Sequence, residues 1–179
     1  MGRLGFDIPG PDALITQDAG NFSGWLHRYF HCTGHHTLLA AEAGAMGFGV
    51  PAAVAAALRT PHRKVVCFVG DGGMLMTGNE MATALQYGAR LLIILSNNNS
   101  YGTIRQHQEM HYPGRVQSTG LRNPDFTALA QAFGARAWRI DAEPQVEPVL
   151  REALACDGLG LVEVRTSLSH ISAFRTLPS

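Results

Sequence analysis

"LLIILSNNNSYG", residues 91–102, is the stretch that decides the fold. Its first five residues are apolar without alternation, which is typical of a strand covered on both faces in a parallel sheet. The run then ends in Ser96 and three asparagines, and asparagine favours turns and caps over strands. The sequence therefore predicts a buried strand whose carboxyl end presents several side-chain amides.

Similar apolar runs occur along the chain and alternate with helical patterns. The other predicted strands are ALIT (13–16), KVVCFV (64–69), WRI (138–140) and LGLVEV (159–164). Helices are predicted over 49–59, 78–87, 123–134 and 143–155, and a long irregular segment over 109–122. This alternation predicts one domain, residues 1–179, with a doubly wound, three-layer α/β/α fold around a mostly parallel sheet.

The composition excludes several classes of function. Lys and Arg number 14, as do Asp and Glu, so no net charge favours nucleic acid. No apolar run approaches the ~20 residues of a membrane span, so no membrane partner is expected. Three widely spaced cysteines are typical of reduced thiols, and the amino-terminal segment lacks an apolar signal core. We therefore expect a cytoplasmic protein.

The predicted strand ends carry a particular chemistry. They are followed by Gly70–Gly73, with one carboxylate flanked by glycines, by Ser96–Ser100, with several amides, and by Gln17–Asn21, with an Asp-x-Gly-Asn turn. Oxygen ligands of this kind suit Mg²⁺, and glycine lets backbone N–H groups approach phosphate oxygens. Each motif alone is also compatible with an ordinary turn. Together, on neighbouring strands, they indicate a site for Mg²⁺ and a phosphate group.

The motifs resemble a known family signature. Gly70-Asp71-Gly72, 24 residues and then Asn97-Asn98 is similar to the signature of thiamine diphosphate enzymes. The segments 18–25, 44–58, 70–88 and 97–108 also resemble that family's blocks in order. The likeness is closest to the diphosphate-binding C-terminal domain of acetolactate synthases and 2-oxo acid decarboxylases. It implies thiamine diphosphate and Mg²⁺ as cofactors and a 2-oxo acid such as pyruvate as substrate.

The resemblance also implies roles for individual residues. Asp71 and Asn98 would bind Mg²⁺ through their side chains, and Ser100 through its backbone carbonyl. A second register, with Asn99 as the ligand, also fits; Asn98 is preferred because Gly102 then matches a family glycine. The other implied cofactor-binding positions are Asn21, Phe22, Gly72 and Gly73 at the diphosphate, Gly44 and Met46 at the pyrimidine, and Gly70, Gly102 and Thr103.

Two departures from the family limit what this chain does alone. Asn21-Phe22 stands where acetolactate synthases carry a Gln-His pair. The family's separate pyrimidine-binding domain, with its activating glutamate, has no counterpart here, and Glu42, Glu80 and Glu109 lie in no matching motif. We therefore expect an excised domain or a separately encoded subunit. It should contain no catalytic residue of its own, be inactive alone, need a pyrimidine-binding partner and self-associate, most simply as a dimer.

Two other functions stay open. The chain fits the small subunit of a two-subunit 2-oxo acid decarboxylase, or a non-catalytic module that binds a magnesium–phosphate ligand. A cluster of histidines, His27, His31, His35 and His36, lies beside Cys32. Because Gly34 interrupts it and no fourth patterned ligand follows, a polar segment is favoured over a zinc site.

Overall fold

The core of the molecule is a six-stranded sheet. The computed structural model describes residues 12–30, 37–174 and 176. The strands are β1 (Leu14–Gln17), β2 (Leu38–Ala40), β3 (Val65–Gly70), β4 (Leu91–Asn97), β5 (Arg136–Ile140) and β6 (Leu159–Arg165). Their order is β2-β1-β3-β4-β6-β5, and every neighbouring pair is parallel. The predicted parallel, doubly wound sheet is confirmed.

Seven α-helices connect the strands. They are α1 (Ser23–Tyr29), α2 (Gly49–Arg59), α3 (Asp71–Thr77), α4 (Met81–Gln86), α5 (Gly102–His111), α6 (Phe126–Ala132) and α7 (Val146–Leu154). Three short 3₁₀ turns, Gly78–Glu80, Glu143–Gln145 and Leu168–His170, complete the described elements. None of the helices in the described ranges is long and apolar enough to cross a membrane.

The helices cover both faces of the sheet, as the unbroken apolar runs predict. On one face, Val65, Ile93 and Leu161 share a core with α2, α4 and α6. On the other face, Leu92 and Val162 pack against α7, and Ile15 and Val66 pack against Leu26 of α1. Alternate residues of each strand are therefore buried on opposite sides, which gives the three-layer architecture.

Several element boundaries differ from the sequence-based prediction. Helix α2 has the predicted bounds, but the predicted helix 123–134 is only Phe126–Ala132, with the Asp125 side chain accepting a hydrogen bond from Ala128 N. The predicted helix 78–87 starts with a 3₁₀ turn and forms a regular α-helix only over Met81–Gln86. Strand β2 and helix α1 were not predicted, because neither has a strong apolar pattern.

Two segments to which no helix was assigned contain one. Gly70-Asp71-Gly72-Gly73 was predicted to follow a strand end, with an ordinary turn as the alternative for the motif alone, and in the structure Asp71 begins helix α3 directly after β3. The segment 109–122 was predicted to be a loop, but α5 continues to His111. The loop is also joined to the strand-end segment by a bridge between Ser100 and Gly120. Packing around the sheet thus outweighs the helix-breaking tendency of the glycines.

The strand order creates a crevice where the site is expected. From β1 the chain passes to β2 on one side and then returns across β1 to β3 on the other. Such a reversal leaves a crevice outside the carboxyl ends of β1 and β3, where ligands bind in open α/β sheets. Because β4 lies next to β3, the three motif-bearing strand ends are neighbours in the sheet.

The described cysteines behave as free thiols. Cys67 and Cys156 are both buried and unpaired with each other. Burial of Cys67 on β3 raises the pKa of its thiol to about 12, so it stays protonated in the folded protein. Cys32, with His31, His35 and His36 of the predicted polar segment, lies outside the described residues.

Candidate functional site

A cavity of about 380 Å³ lies at the carboxyl ends of the strands. Of the twelve residues predicted to bind the cofactor, eleven line it: Asn21, Phe22, Met46, Gly70, Asp71, Gly72, Gly73, Asn98, Ser100, Gly102 and Thr103. Gly44 does not line the cavity; it is exposed and has a positive φ of 63°. The fold therefore brings together residues that are up to 82 positions apart in sequence, such as Asn21 and Thr103.

Asp71 is the central charged group of the cavity. It is 3% exposed, and burial raises the pKa of its carboxyl, while hydrogen bonds from Asn123, Gly72 and Ser100 oppose that rise. Its Oδ1 accepts from Gly72 N at 3.0 Å, and its Oδ2 accepts from Ser100 N at 3.2 Å and from Asn123 Nδ2 at 2.8 Å. These neutral donors orient the carboxylate without neutralising it.

Among the residues that the structure describes, no basic side chain compensates the charge of Asp71. Within the described ranges, no lysine or arginine forms an ion pair with it. A buried carboxylate without a cationic partner is costly, and a bound cation is the usual compensation. Asp71 and the neighbouring Asn98 both carry side-chain oxygens at the cavity, and a hard cation prefers oxygen ligands, so the site fits such a cation.

The three asparagines have three different environments. Asn97 is buried, and its Nδ2 donates to Glu163 Oε1 at 2.7 Å. Asn98 lines the cavity, and its Oδ1 accepts from Ser100 N at 3.0 Å. Asn99 is exposed with a positive φ of 56° and is not part of the cavity lining. Of the two registers, only the one with Asn98 brings its ligand residue to the cavity wall beside Asp71.

Ser100 presents its main chain to the site. Its hydroxyl donates to Thr119 O at 2.9 Å, so the side chain is used within the loop. Its backbone N–H lies between Asp71 Oδ2 and Asn98 Oδ1 and thereby links the two side chains predicted to bind the cation. Asp71, Asn98 and Ser100 therefore form one hydrogen-bonded group.

The glycines at the end of β3 and the start of α3 have no room for a side chain, because neighbouring side chains pack directly against them. A Cβ at Gly72 would lie 2.5 Å from Tyr101 Cε1 and 3.1 Å from Met46 Cε. A Cβ at Gly70 would lie 2.9 Å from the Phe22 ring. The absence of side chains lets Phe22, Met46 and Tyr101 close around the start of α3.

Asp18 holds the Met46 loop in place. Its Oδ2 accepts from Gly47 N at 2.9 Å, and its Oδ1 accepts from Phe48 N at 2.8 Å and Gly49 N at 3.2 Å. Thr77 Oγ1 also donates to Gly47 O at 3.0 Å. The sequence analysis assigned no role to Asp18; its position directly after β1, before Ala19-Gly20, was the only available signal.

Asn21 links the β1 end to helix α5. Its Nδ2 donates to Gln106 Oε1 at 2.8 Å, and its Oδ1 accepts from Thr103 Oγ1 at 3.1 Å. Phe22 next to it packs against Gly70 and contributes an apolar wall. Where acetolactate synthases carry a Gln-His pair, this corner of the cavity therefore has the amide of Asn21 and the aromatic ring of Phe22.

The cavity continues beyond the predicted residues toward β5 and β6. Its additional lining includes Trp25, Ile104, Ile140, Val146, His170 and Ile171, together with the acids Asp141 and Glu143. Glu42, Glu80 and Glu109, the acids considered from the sequence, lie outside the lining. The sequence analysis missed Ile140, Val146, His170 and Ile171 because they lie at or after the ends of β5 and β6, to which it assigned no ligand chemistry. Trp25 and Ile104 lie instead on helices α1 and α5.

A family model and the similar curated proteins both indicate the same family for this chain. The model for "Thiamine pyrophosphate enzyme, C-terminal TPP binding domain" matches residues 18–164. The acetolactate synthase large subunit of Lactococcus lactis is 39% identical over 132 residues, 73% of this chain and 23% of that protein. The acetolactate synthase isozyme 2 large subunit of Escherichia coli is 36% identical over 155 residues, 86% of this chain and 28% of that protein. The chain thus spans about a quarter of the length of these curated relatives.

Proposed function

Because this chain belongs to the family of C-terminal domains that bind thiamine pyrophosphate, also called thiamine diphosphate, we propose that it holds the cofactor's diphosphate through Mg²⁺. Asp71 and Asn98 bind the cation through side-chain oxygens, and Ser100 through its backbone carbonyl. The observation that carries this proposal is the buried, uncompensated carboxylate of Asp71 beside Asn98 in the cavity. Mg²⁺ prefers such oxygen ligands and completes its octahedron with phosphate and water.

The residues around the cation have complementary roles in this proposal. Gly70, Gly72 and Gly73 allow the diphosphate to approach the backbone at the start of α3. Asn21 and Thr103, already hydrogen-bonded to each other, close one side of the diphosphate together with Phe22 and Gly102.

Met46 and Gly44 serve the other end of the cofactor. The thioether of Met46 is an adaptable apolar group and supports the bent shape of the two rings. Gly44, outside the cavity of this chain, offers its main chain to the pyrimidine. Asp18 fixes the loop that carries both residues.

The chain's own contribution is binding and orientation. Thiamine diphosphate, when bound, supplies the electron sink for chemistry at the carbonyl carbon of a 2-oxo acid. The described residues hold the diphosphate and the cation, exclude water with Phe22 and Trp25, and fix the Met46 loop. In this proposal the acid that activates the pyrimidine comes from the pyrimidine-binding partner. Glu42, Glu80 and Glu109 lie outside the lining, and the two further acids that line it, Asp141 and Glu143, follow β5 and not the Met46 loop.

The whole protein is proposed to be an acetolactate synthase-like transferase or lyase. Its substrate would be a 2-oxo acid such as pyruvate, in keeping with the names of the relatives. A pyrimidine-binding domain or subunit completes the cofactor site, and the chain assembles as a homo-oligomer. A cytoplasmic location is supported by the cysteine composition.

Calorimetry with thiamine diphosphate tests the proposal. The 179-residue chain should bind the cofactor with Mg²⁺ present, and excess EDTA should abolish this binding. Asp71→Ala should weaken it by more than about 100-fold, since loss of residues that only support ligands already costs about 10–100-fold. Asp141→Ala is the matched control, because Asp141 lines the same cavity without joining the cation group.

Equal affinity in Asp71→Ala and wild type would refute the metal assignment. Cofactor binding without turnover, even with a pyrimidine-binding partner added, would favour the non-catalytic module over the enzyme.

A further inference from the structure

Helix α5 presents two histidines on one face. His107 and His111 are four residues apart, and their ring centroids lie 6.0 Å apart with the ring planes inclined by 2°. Both residues are exposed. Because residues i and i+4 lie on the same side of an α-helix, the two imidazoles stand side by side at the protein surface.

Neither imidazole ring has another polar partner. Within the described part of the chain, the two rings form no hydrogen bond and no ion pair, and their contact is with each other. Other polar side chains of α5 are engaged, since Gln108 Nε2 donates to Gln117 O at 3.1 Å and Arg105 pairs with Glu109 at 3.5 Å. The ring nitrogens of the two histidines are therefore free to bind a ligand.

The helix keeps the two histidines at this spacing. Tyr112 N donates to Gln108 O at 2.7 Å, which closes the last turn, and Gln117 N donates to Gln108 Oε1 at 2.8 Å, which ties that turn to the following loop. Exposed side chains change rotamer within about ps–ns, so both rings can turn a nitrogen toward one shared ion, at the Zn–N distance of about 2.0–2.1 Å. Histidines at i and i+4 bind zinc together in this way on other helices.

The two imidazoles determine the class of ion that the pair can bind. Neutral imidazole nitrogens suit Zn²⁺, Ni²⁺ and Cu²⁺, whereas Mg²⁺ prefers oxygen ligands. No third His, Cys, Asp or Glu joins the pair among the described residues, so water would complete the coordination. Glu109, two residues from each histidine, lies on another face of the helix. The pair is therefore suited to binding an ion and not to hydrolysis assisted by a neighbouring carboxylate.

We propose that His107 and His111 form a surface metal site for a borderline divalent ion, which binds Cu²⁺ most tightly and Ni²⁺ or Zn²⁺ more weakly. Helix α5 has no buried residue, so packing contributes little to holding its last turn. An ion that joins residues one turn apart opposes fraying of that turn where the following loop begins. Neither histidine lines the cavity, so this site is independent of the proposed cofactor site.

Amide NMR spectra of the 179-residue chain titrated with Cu²⁺ alone test the site. A second cluster of histidines, with Cys32, lies at 27–36, so the measurement must locate the ion, and paramagnetic Cu²⁺ does so by broadening the signals of nearby amides. Substoichiometric Cu²⁺ should broaden the amides of 107–112. In His107→Asn and in His111→Asn the same broadening should need about 100-fold more Cu²⁺, because a second linked ligand raises affinity by about 10²–10⁴-fold.

Two variants separate the paired site from binding to single histidines. His62→Asn removes an exposed histidine elsewhere on the surface and should leave the broadening of 107–112 unchanged. The double variant His111→Asn/Tyr112→His keeps the number of histidines but moves the second to i+5, off the shared face, so it should behave like His111→Asn.

Hydrogen exchange gives a second readout, which a damaged fold would not reproduce. Zn²⁺ should slow exchange of the Tyr112 amide in the wild type and in neither single variant. Equal broadening of 107–112 in the wild type and both single variants, or full broadening in the double variant, would overturn the inference. Either result would leave the proposed cofactor site untouched.

Discussion

At the scale of single residues, Gly73 on helix α3 lies directly against the carboxylate of Asp18 and leaves no room for a side chain. A Cβ at Gly73 would lie 1.8 Å from Asp18 Oδ2, the oxygen that accepts from Gly47 N. Asp18 is 1% exposed and bound to three backbone amides, so it cannot move without breaking them. Because Gly73 has no Cβ, Asp18 can lie beside helix α3 and hold the Met46 loop in its observed position.

Gly73→Ala should therefore be strongly destabilising for so small a change. Overpacking of this kind typically lowers the free energy of unfolding by about 1–3 kcal/mol, measurable by urea denaturation. Gly120→Ala is the matched control, because a Cβ there would have no atom within 4 Å. If both variants unfold at the same urea concentration, the tight contact between Gly73 and Asp18 is not maintained in solution.

At the scale of elements, the loop after α5 has two distinct parts. Its later part is tied to the strand end, because Tyr101 N donates to Thr119 O at 2.9 Å and Leu121 N to Asn99 O at 2.8 Å. Its earlier part, 112–118, is held by exposed contacts such as Gln117 N to Gln108 Oε1 at 2.8 Å. Helix α5 itself has no buried residue. Within the predicted irregular segment 109–122, only residues 112–118 are therefore expected to be mobile in the free protein.

Amide hydrogen exchange of the free protein checks this division. Residues 112–118 should exchange fast, whereas Leu121 and Tyr101 should be protected to an intermediate degree. The central strands, Val65–Gly70 and Leu91–Asn97, should exchange slowest because they are buried and paired on both sides. Protection of 112–118 equal to that of the strands would contradict the assignment.

At the scale of the whole molecule, two helices that begin at the cavity carry exposed apolar side chains. Helix α3 exposes Leu75 and Met76 to 46% and 50%, and helix α5 exposes Ile104 and Met110 to 49% and 40%. Ile104 also lines the cavity, so apolar surface reaches its mouth. Exposed apolar groups next to a cofactor cavity are typical of a face that a partner covers.

The 179-residue chain alone should therefore self-associate and release no carbon dioxide from pyruvate. Sedimentation should show a dimer, and the proposed activity should be absent because the acid assigned to the pyrimidine-binding partner is missing from the assay. General acid–base assistance typically contributes about 10²–10⁴-fold, and its loss, with the cavity open to water, leaves no useful rate. The assay monitors carbon dioxide and acetolactate with cofactor and Mg²⁺ in excess. Turnover at ordinary enzyme rates would mean that an acid of this chain, such as Glu42, takes the missing role.

Local patterns determined much of this protein. Apolar runs identified five of the six strands, because a strand covered on both faces needs few polar side chains; the signals for β5 and β6 were weaker, with Arg139 and Glu163 inside them. The strand-end motifs, together with the family resemblance, identified eleven residues of the cavity. The weakly patterned β2 and α1 were missed.

Only the tertiary structure separated residues that are chemically identical. Asn97, Asn98 and Asn99 look alike in sequence, yet one is buried against Glu163, one lines the cavity and one is exposed. Which way each side chain points depends on where β4 ends and on partners 24–66 residues away. For the same reason the roles of Asp18 and Asn123 could not be predicted, since hydrogen bonds between distant segments leave no periodic signal in the chain.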